Sequence, residues 1–179
     1  MNNLKLKVDF KNIYYISMRN SNVKTLILGL GNPILSDDGV GCRVAMDLKD
    51  KLNTPDIDIM EASIAGLDLL DLLTGYDRTI IIDAIQTDKG TPGQIYRLGP
   101  DILASTRHAG TPHDVNLATA LGLGKMLNLK LPRKITIFAI EVKDVITFSE
   151  ECTPEVMKAI PACVKMVIQE LKEDPDIVS

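Results

Sequence analysis

Three short runs constrain this chain more than anything else in it: "KTLILGL" (Lys24 to Leu30), "RTIIIDAI" (Arg78 to Ile85) and "KITIFAIE" (Lys134 to Glu141). Each is almost continuously apolar, which is the pattern of a strand buried on both faces. Both faces of a sheet are buried only where helices cover both sides, so these runs select an α/β arrangement. The intervening segments supply the helices. "GVGCRVAMDLKDKL" spaces Val40, Val44, Leu48 and Leu52 at helical intervals, and "GLDLLDLL" (Gly66 to Leu73) carries Leu67, Leu69, Leu70 and Leu73. "HDVNLATALGLGKMLN" reads as a helix despite Gly122 and Gly124, each of which weakens it by about 1 kcal/mol relative to alanine. A last helix opens at "TPEV", where Thr153 can cap and Pro154 fits the first turn, and runs to Lys172 with a kink at Pro161. Two further strands, "DIDIMEA" (Asp56 to Ala62) and "GQIYRLG" (Gly93 to Gly99), complete the alternation. The expected fold is an α/β three-layer sandwich: a mostly parallel central sheet flanked by helices on both faces.

A length of 179 residues suits one domain, here residues 21–175, preceded by an N-terminal extension over 1–20. Within that extension "LKLKVDF" alternates like a half-buried strand, and an added edge strand or a functionally irrelevant leader both fit. A net charge of −4 with no run of Lys and Arg among aromatics argues against nucleic acid as a partner. No apolar run approaches the ~20 residues of a spanning helix, so no membrane association is expected. Cys42, Cys152 and Cys163 are an odd number without C-x-x-C spacing, which fits reduced thiols in a cytoplasmic protein rather than a disulfide framework or zinc knuckle.

Open α/β sheets bind ligands at the carboxyl ends of their strands, and the polar residues there are the candidates for chemistry. "LGLGNPILSDDGVG" starts as a dinucleotide-binding turn, with Gly29 and Gly31 in place. Ile34 occupies the third glycine position, and Asp37 and Asp38 stand where a pyrophosphate would sit. Dinucleotide binding, with Glu61 as the ribose acid, is therefore disfavoured. Helix capping accounts for one of the paired aspartates; the other is open to a cation. Asp83 ends the central strand, either bonding the following turn or serving the site. The only two histidines, His108 and His113, share the "RHAGTPHDV" loop, and Pro112 stiffens the chain at His113. Two carboxylates and an imidazole from three segments form a donor set suited to zinc or nickel. Cys42 is a candidate nucleophile at a helix start, although a buried packing thiol fits it better.

The ordered motifs "LGLGNPILSDDGVG", "IIIDAI" and "TPHDVNL" resemble the nickel-iron hydrogenase maturation endopeptidases, with similarity from about Thr25 to Leu171. The resemblance implies a protease, metal-dependent or aspartic in type, that removes a C-terminal extension from the hydrogenase large-subunit precursor after nickel insertion. It places the family's metal ligands on Asp38, Asp83 and His113, which are the expected catalytic residues. The loop acid is Glu in some members and Asp here. It further implies nickel supplied by the substrate rather than a resident metal; independently of the resemblance, a monomer is expected. In the peptidase reading Gly29 and Gly31 clear the cleft for an extended substrate tail, Asn32 bonds either that tail's backbone or, in preference, the turn itself, Asp37 caps the helix and Asp38 faces the metal. A nickel-sensing assembly factor that does not cut is the alternative from another class; retention of all three ligands favours the enzyme.

Overall fold

The computed structural model describes residues 23–64, 67–100 and 114–173. Its elements are β1 (Thr25–Leu30), a 3-10 turn (Ser36–Gly39) leading into α1 (Val40–Lys49), β2 (Ile57–Ala62), α2 (Asp68–Leu73), β3 (Arg78–Ile85), β4 (Ile95–Leu98), α3 (Asp114–Met126), β5 (Lys134–Glu141) and α4 (Pro154–Lys172). The strands form one sheet in the order β2-β1-β3-β5-β4. All neighbours are parallel except β4, which runs antiparallel to β5 at the edge. The expected α/β sandwich is thus observed. The extension over 1–20, with its strand-like "LKLKVDF", lies outside the described residues.

Side-chain alternation divides the core into two layers, as a two-residue period requires. Ile27, Ile80, Ile82, Phe138 and Ile140 face Val40, Val44 and Leu48 of α1 and Val156, Ile160 and Val164 of α4. Leu26, Leu28, Ile81 and Ile137 face the other way, onto Leu69 and Leu73 of α2 and Leu117 of α3. The apolar runs therefore have no solvent face to make polar. α4 continues through Pro161, which sits on its exposed side, where a missing amide bond opens to water.

The amino edge of the sheet carries a buried ion cluster. Glu170 of α4 accepts from Arg78 Nη2 (3.3 Å), Arg97 Nε (2.8 Å) and Thr136 Oγ1 (3.1 Å), with Lys134 Nζ 3.5 Å away. Hydrogen bonding from Arg97, then Thr136, and the charges of Arg97 and Lys134 hold its carboxyl at about 2 against the opposing effect of burial. This cluster bolts α4 to the starts of β3 and β5, and it leaves the opposite edge for the candidate chemistry. Among the described residues no helix is long and apolar enough to cross a membrane.

Candidate functional site

At the carboxyl edge, β1 and β3 lie side by side with Gly29 opposite Ile82, so the glycine loop leaves the sheet next to Asp83. Gly31 has φ +127°, and a Cβ there would run into the carbonyl of Asp38; only glycine closes this turn. Gly29 works differently. A Cβ on it would meet the carbonyl of Gly41 and, at 2.8 Å, the Ala45 methyl, so it lets α1 lie against β1. The clearance expected for a substrate tail is filled at these two positions by the chain's own backbone. Asn32 braces the turn as expected, its Oδ1 accepting from the Ile34 N–H at 3.3 Å.

The paired aspartates divide their work, but Asp37 is not the helix cap expected of it. Neither the 3-10 turn nor α1 receives a side-chain cap. Asp37 instead is fully buried and turns away from its own helix. Its carboxylate accepts the N–H groups of Lys143 (3.3 Å), Asp144 (3.1 Å) and Thr153 (2.6 Å) and the Thr153 hydroxyl (3.0 Å). Thr153 precedes the first turn of α4, but its hydroxyl is committed to Asp37 and does not cap. The correction has a simple cause: an adjacent carboxylate in a tight turn can reach a distant segment as easily as the next amide, and only tertiary packing decides. Asp37 thereby pins the loop between β5 and α4 against the glycine loop. Ser36 beside it is buried at φ +47°, an unfavourable conformation held by its N–H to the Ser149 carbonyl (2.8 Å) and its hydroxyl to that of Glu151 (3.3 Å).

Asp38 remains half-buried. Its Oδ2 accepts the Asn32 N–H at 2.7 Å, which fixes the carboxylate at the mouth of the loop. Asp83 is 5% exposed and uses Oδ1 to accept the N–H of Ala84 at 2.8 Å, so it does bond the chain that follows. Its strand continues two residues beyond it, to Ile85.

Cys42 is buried beneath the glycine loop. Its Sγ donates to the carbonyls of Gly31 (3.4 Å) and Gly29 (3.7 Å). Burial, then the negative charges of Glu61, Asp38 and Asp83, push its thiol up to about 11. Carboxylates from three chain segments therefore bear on one sulfur. A thiol so placed stays protonated at neutral pH, which removes Cys42 as a nucleophile and leaves it the packing role. Burial likewise raises Cys152 and pushes Cys163 up to about 12. Glu61 itself sits at the surface, paired to Lys49 at 2.8 Å.

His113, and His108 with it, lie outside the described residues. Leu117, four positions after His113, is packed with Ile81, on the face of β3 that also carries Asp83 by two-residue alternation. No group of three His, Cys, Asp or Glu side chains spaced for a metal occurs among the described residues; the donors present there are Asp38 and Asp83. Carboxylate oxygens alone are hard donors, and it takes an imidazole to turn such a set toward zinc or nickel.

One buried carboxylate at this edge was not singled out from the sequence. Glu141 ends β5 directly beside Ile85 and accepts the Thr87 N–H (2.7 Å) and hydroxyl (3.1 Å). It is the last residue of "KITIFAIE", a charged group closing an apolar run at the same sheet edge that Asp83 approaches two residues before the end of "RTIIIDAI", and that is the available signal. Its bonds make it a tether for the segment after β3.

Comparison with known proteins gives a consistent result. A model of a hydrogenase maturation protease family, HycI, matches residues 42–170, a stretch that includes Asp83 and His113 and begins just after Asp38. The hydrogenase 2 maturation protease of Escherichia coli is 28% identical over 153 residues, covering 84% of this chain and 92% of that protein. A Methanocaldococcus jannaschii protein provisionally named a hydrogenase maturation protease is 30% identical over 154 residues, covering 83% and 96%. Among solved structures, the hydrogenase-maturating endopeptidase HybD of E. coli superposes with a TM-score of 0.73 at 26% identity, covering 84% of this chain and 93% of that one.

Proposed function

The chain belongs to the hydrogenase maturation protease family, and from that premise we propose that it removes a C-terminal extension from a nickel-iron hydrogenase large-subunit precursor once nickel has been inserted. It is a peptidase. The finer assignment is that Asp38, Asp83 and His113 meet the precursor's nickel and carry the chemistry. The observation that supports it most is the register of β1 beside β3, with Gly29 opposite Ile82: it brings the loop bearing Asp38 out of the sheet next to Asp83, and two carboxylates from separate segments at one sheet edge are the oxygen half of the donor set. Nickel enters as part of the substrate, and when bound it supplies a Lewis acid beside the scissile carbonyl.

The chain's own residues do the rest. Asp38, fixed by the Asn32 N–H, orients the incoming segment at the loop mouth. Asp83, on β3 beside the end of β1, adds negative charge that favours a cationic centre. Hydrolysis adds water across one peptide bond; a carboxylate of the pair takes the proton of the attacking water and the new amine leaves with a proton. The three cysteines are all unpaired and buried, which supports cytoplasmic processing, with the enzyme acting as a monomer.

The test is to incubate the purified protein with nickel-loaded and nickel-free precursor and follow the C-terminal peptide by mass spectrometry. Cleavage of the loaded form alone is expected, and it should be lost in Asp38→Asn and His113→Ala with folding intact. Cleavage of the nickel-free form at the same rate would remove nickel from the proposal.

A further inference from the structure

Ile146 and Phe148 are each 81% exposed, and Ile34 is 48% exposed. They stand on two loops joined to one another: Leu35 bridges Ser149, the Ser149 N–H donates to the Ile34 carbonyl at 3.1 Å, and Asp37 clamps Lys143 and Asp144 from below. The exposure is not a loose end. Asp144 Oδ1 accepts the N–H groups of Ile146 (3.2 Å) and Thr147 (3.0 Å), and Ser149 and Glu151 bond each other in both directions (2.9 and 3.0 Å). A loop so fully bonded holds its two large apolar side chains out in water.

We infer that Ile34, Ile146 and Phe148 form a docking surface for the hydrogenase large-subunit precursor, accepting an apolar patch bordered by basic residues next to its C-terminal extension. The inference rests on the peptidase reading and adds to it where the substrate is gripped. Continuity with the site carries it. Ile34 lies two residues from Asn32, whose N–H fixes Asp38, and Asp37, next in sequence to Asp38, anchors the loop bearing Ile146 and Phe148. Charge gives the partner's chemistry: Asp144, Glu150 and Glu151 border the patch, while Lys143 is engaged by Glu155 at 2.9 Å. Area gives the mode. The two most exposed side chains offer on the order of 300 Å² of apolar surface, enough to mark a contact but well below a stable dimer interface. A transient hold suits an enzyme that must release its product.

The experiment compares wild type with Ile146→Ser/Phe148→Ser and, as a control, Met126→Ser, which is equally open (80%) but on α3. Binding to the precursor is measured with the intact chain by titration, and processing by steady-state kinetics. The double variant should bind at least tenfold more weakly and raise KM by a similar factor, with kcat within about twofold, while Met126→Ser matches wild type. Unchanged binding in the double variant, or equal loss in Met126→Ser, overturns the docking surface even if cleavage is normal. So does absence of binding by wild type. If wild type binds, loses that binding in the double variant, and yet never cuts, the surface stands and the peptidase assignment falls. Sedimentation completes the set: a wild-type dimer that the double variant dissolves assigns the patch to a second copy and overturns the proposal.

Discussion

Asp37→Asn tests the division of labour in the aspartate pair. The carboxylate is fully buried and uses both oxygens: Oδ1 for the Thr153 N–H at 2.6 Å, Oδ2 for Lys143, Asp144 and the Thr153 hydroxyl. An amide has one acceptor oxygen. If it stays on the Thr153 N–H, its NH2 group faces two backbone donors; if it flips, it faces the Thr153 N–H instead. Either way at least one buried N–H loses its partner, at about 1–3 kcal/mol, and the surviving bonds lose their charge assistance. A total near 3 kcal/mol is a large share of the roughly 5–15 kcal/mol that holds such a domain, and at this size it lowers Tm by about 6–12 °C.

Asp38→Asn is the internal control. Asp38 is half-buried and accepts one bond, from the Asn32 N–H at 2.7 Å, which an asparagine oxygen also accepts. Its stability change should stay within about 1 kcal/mol. Urea unfolding followed by circular dichroism reads both variants against wild type. Equal midpoints for Asp37→Asn and wild type, or a larger loss in Asp38→Asn, would falsify the assignment of Asp37 to the fold and Asp38 to the site.

Three further outcomes follow from other parts of the molecule. Glu170 has its carboxyl lowered from 4.5 to about 2, so its contribution is complete above pH 4.5 and is lost as pH falls from there through 2; Glu170→Gln should flatten that part of the acid-unfolding curve, and an unchanged acid slope in the variant refutes the linkage. Cys42, with its thiol near 11, should resist iodoacetamide at pH 8 until the protein is unfolded, and Cys42→Ala should keep processing activity; a folded but inactive Cys42→Ala would restore the nucleophile. Gly31→Ala must place a Cβ at φ +127° against the Asp38 carbonyl, and it should destabilise by more than about 1 kcal/mol and slow processing; thermal melts paired with the mass assay decide it.

The legible part of this protein was whatever depends on short-range pattern. Runs such as "RTIIIDAI" specify doubly buried strands because any register puts apolar residues on both faces, and the ladder of β3 with β1 and β5 follows from that alone. The place of Asp83 was legible for a related reason: an ionisable residue near the carboxyl end of such a run lies toward the edge where open α/β sheets bind ligands. The roles of Asp37 and the glycines were not legible, because each is set by a partner far along the chain. Asp37 meets Thr153 across 116 positions, and nothing in "SDDG" distinguishes an aspartate that caps locally from one that holds a remote helix start. Gly29 likewise reads as a loop device until α1 is seen lying on it. The same physics separates the two adjacent aspartates: the buried one holds the loop around the other in place, so Asp37→Asn should lower Tm and weaken processing only as the fold loosens, whereas Asp38→Asn should act on processing with Tm nearly unchanged.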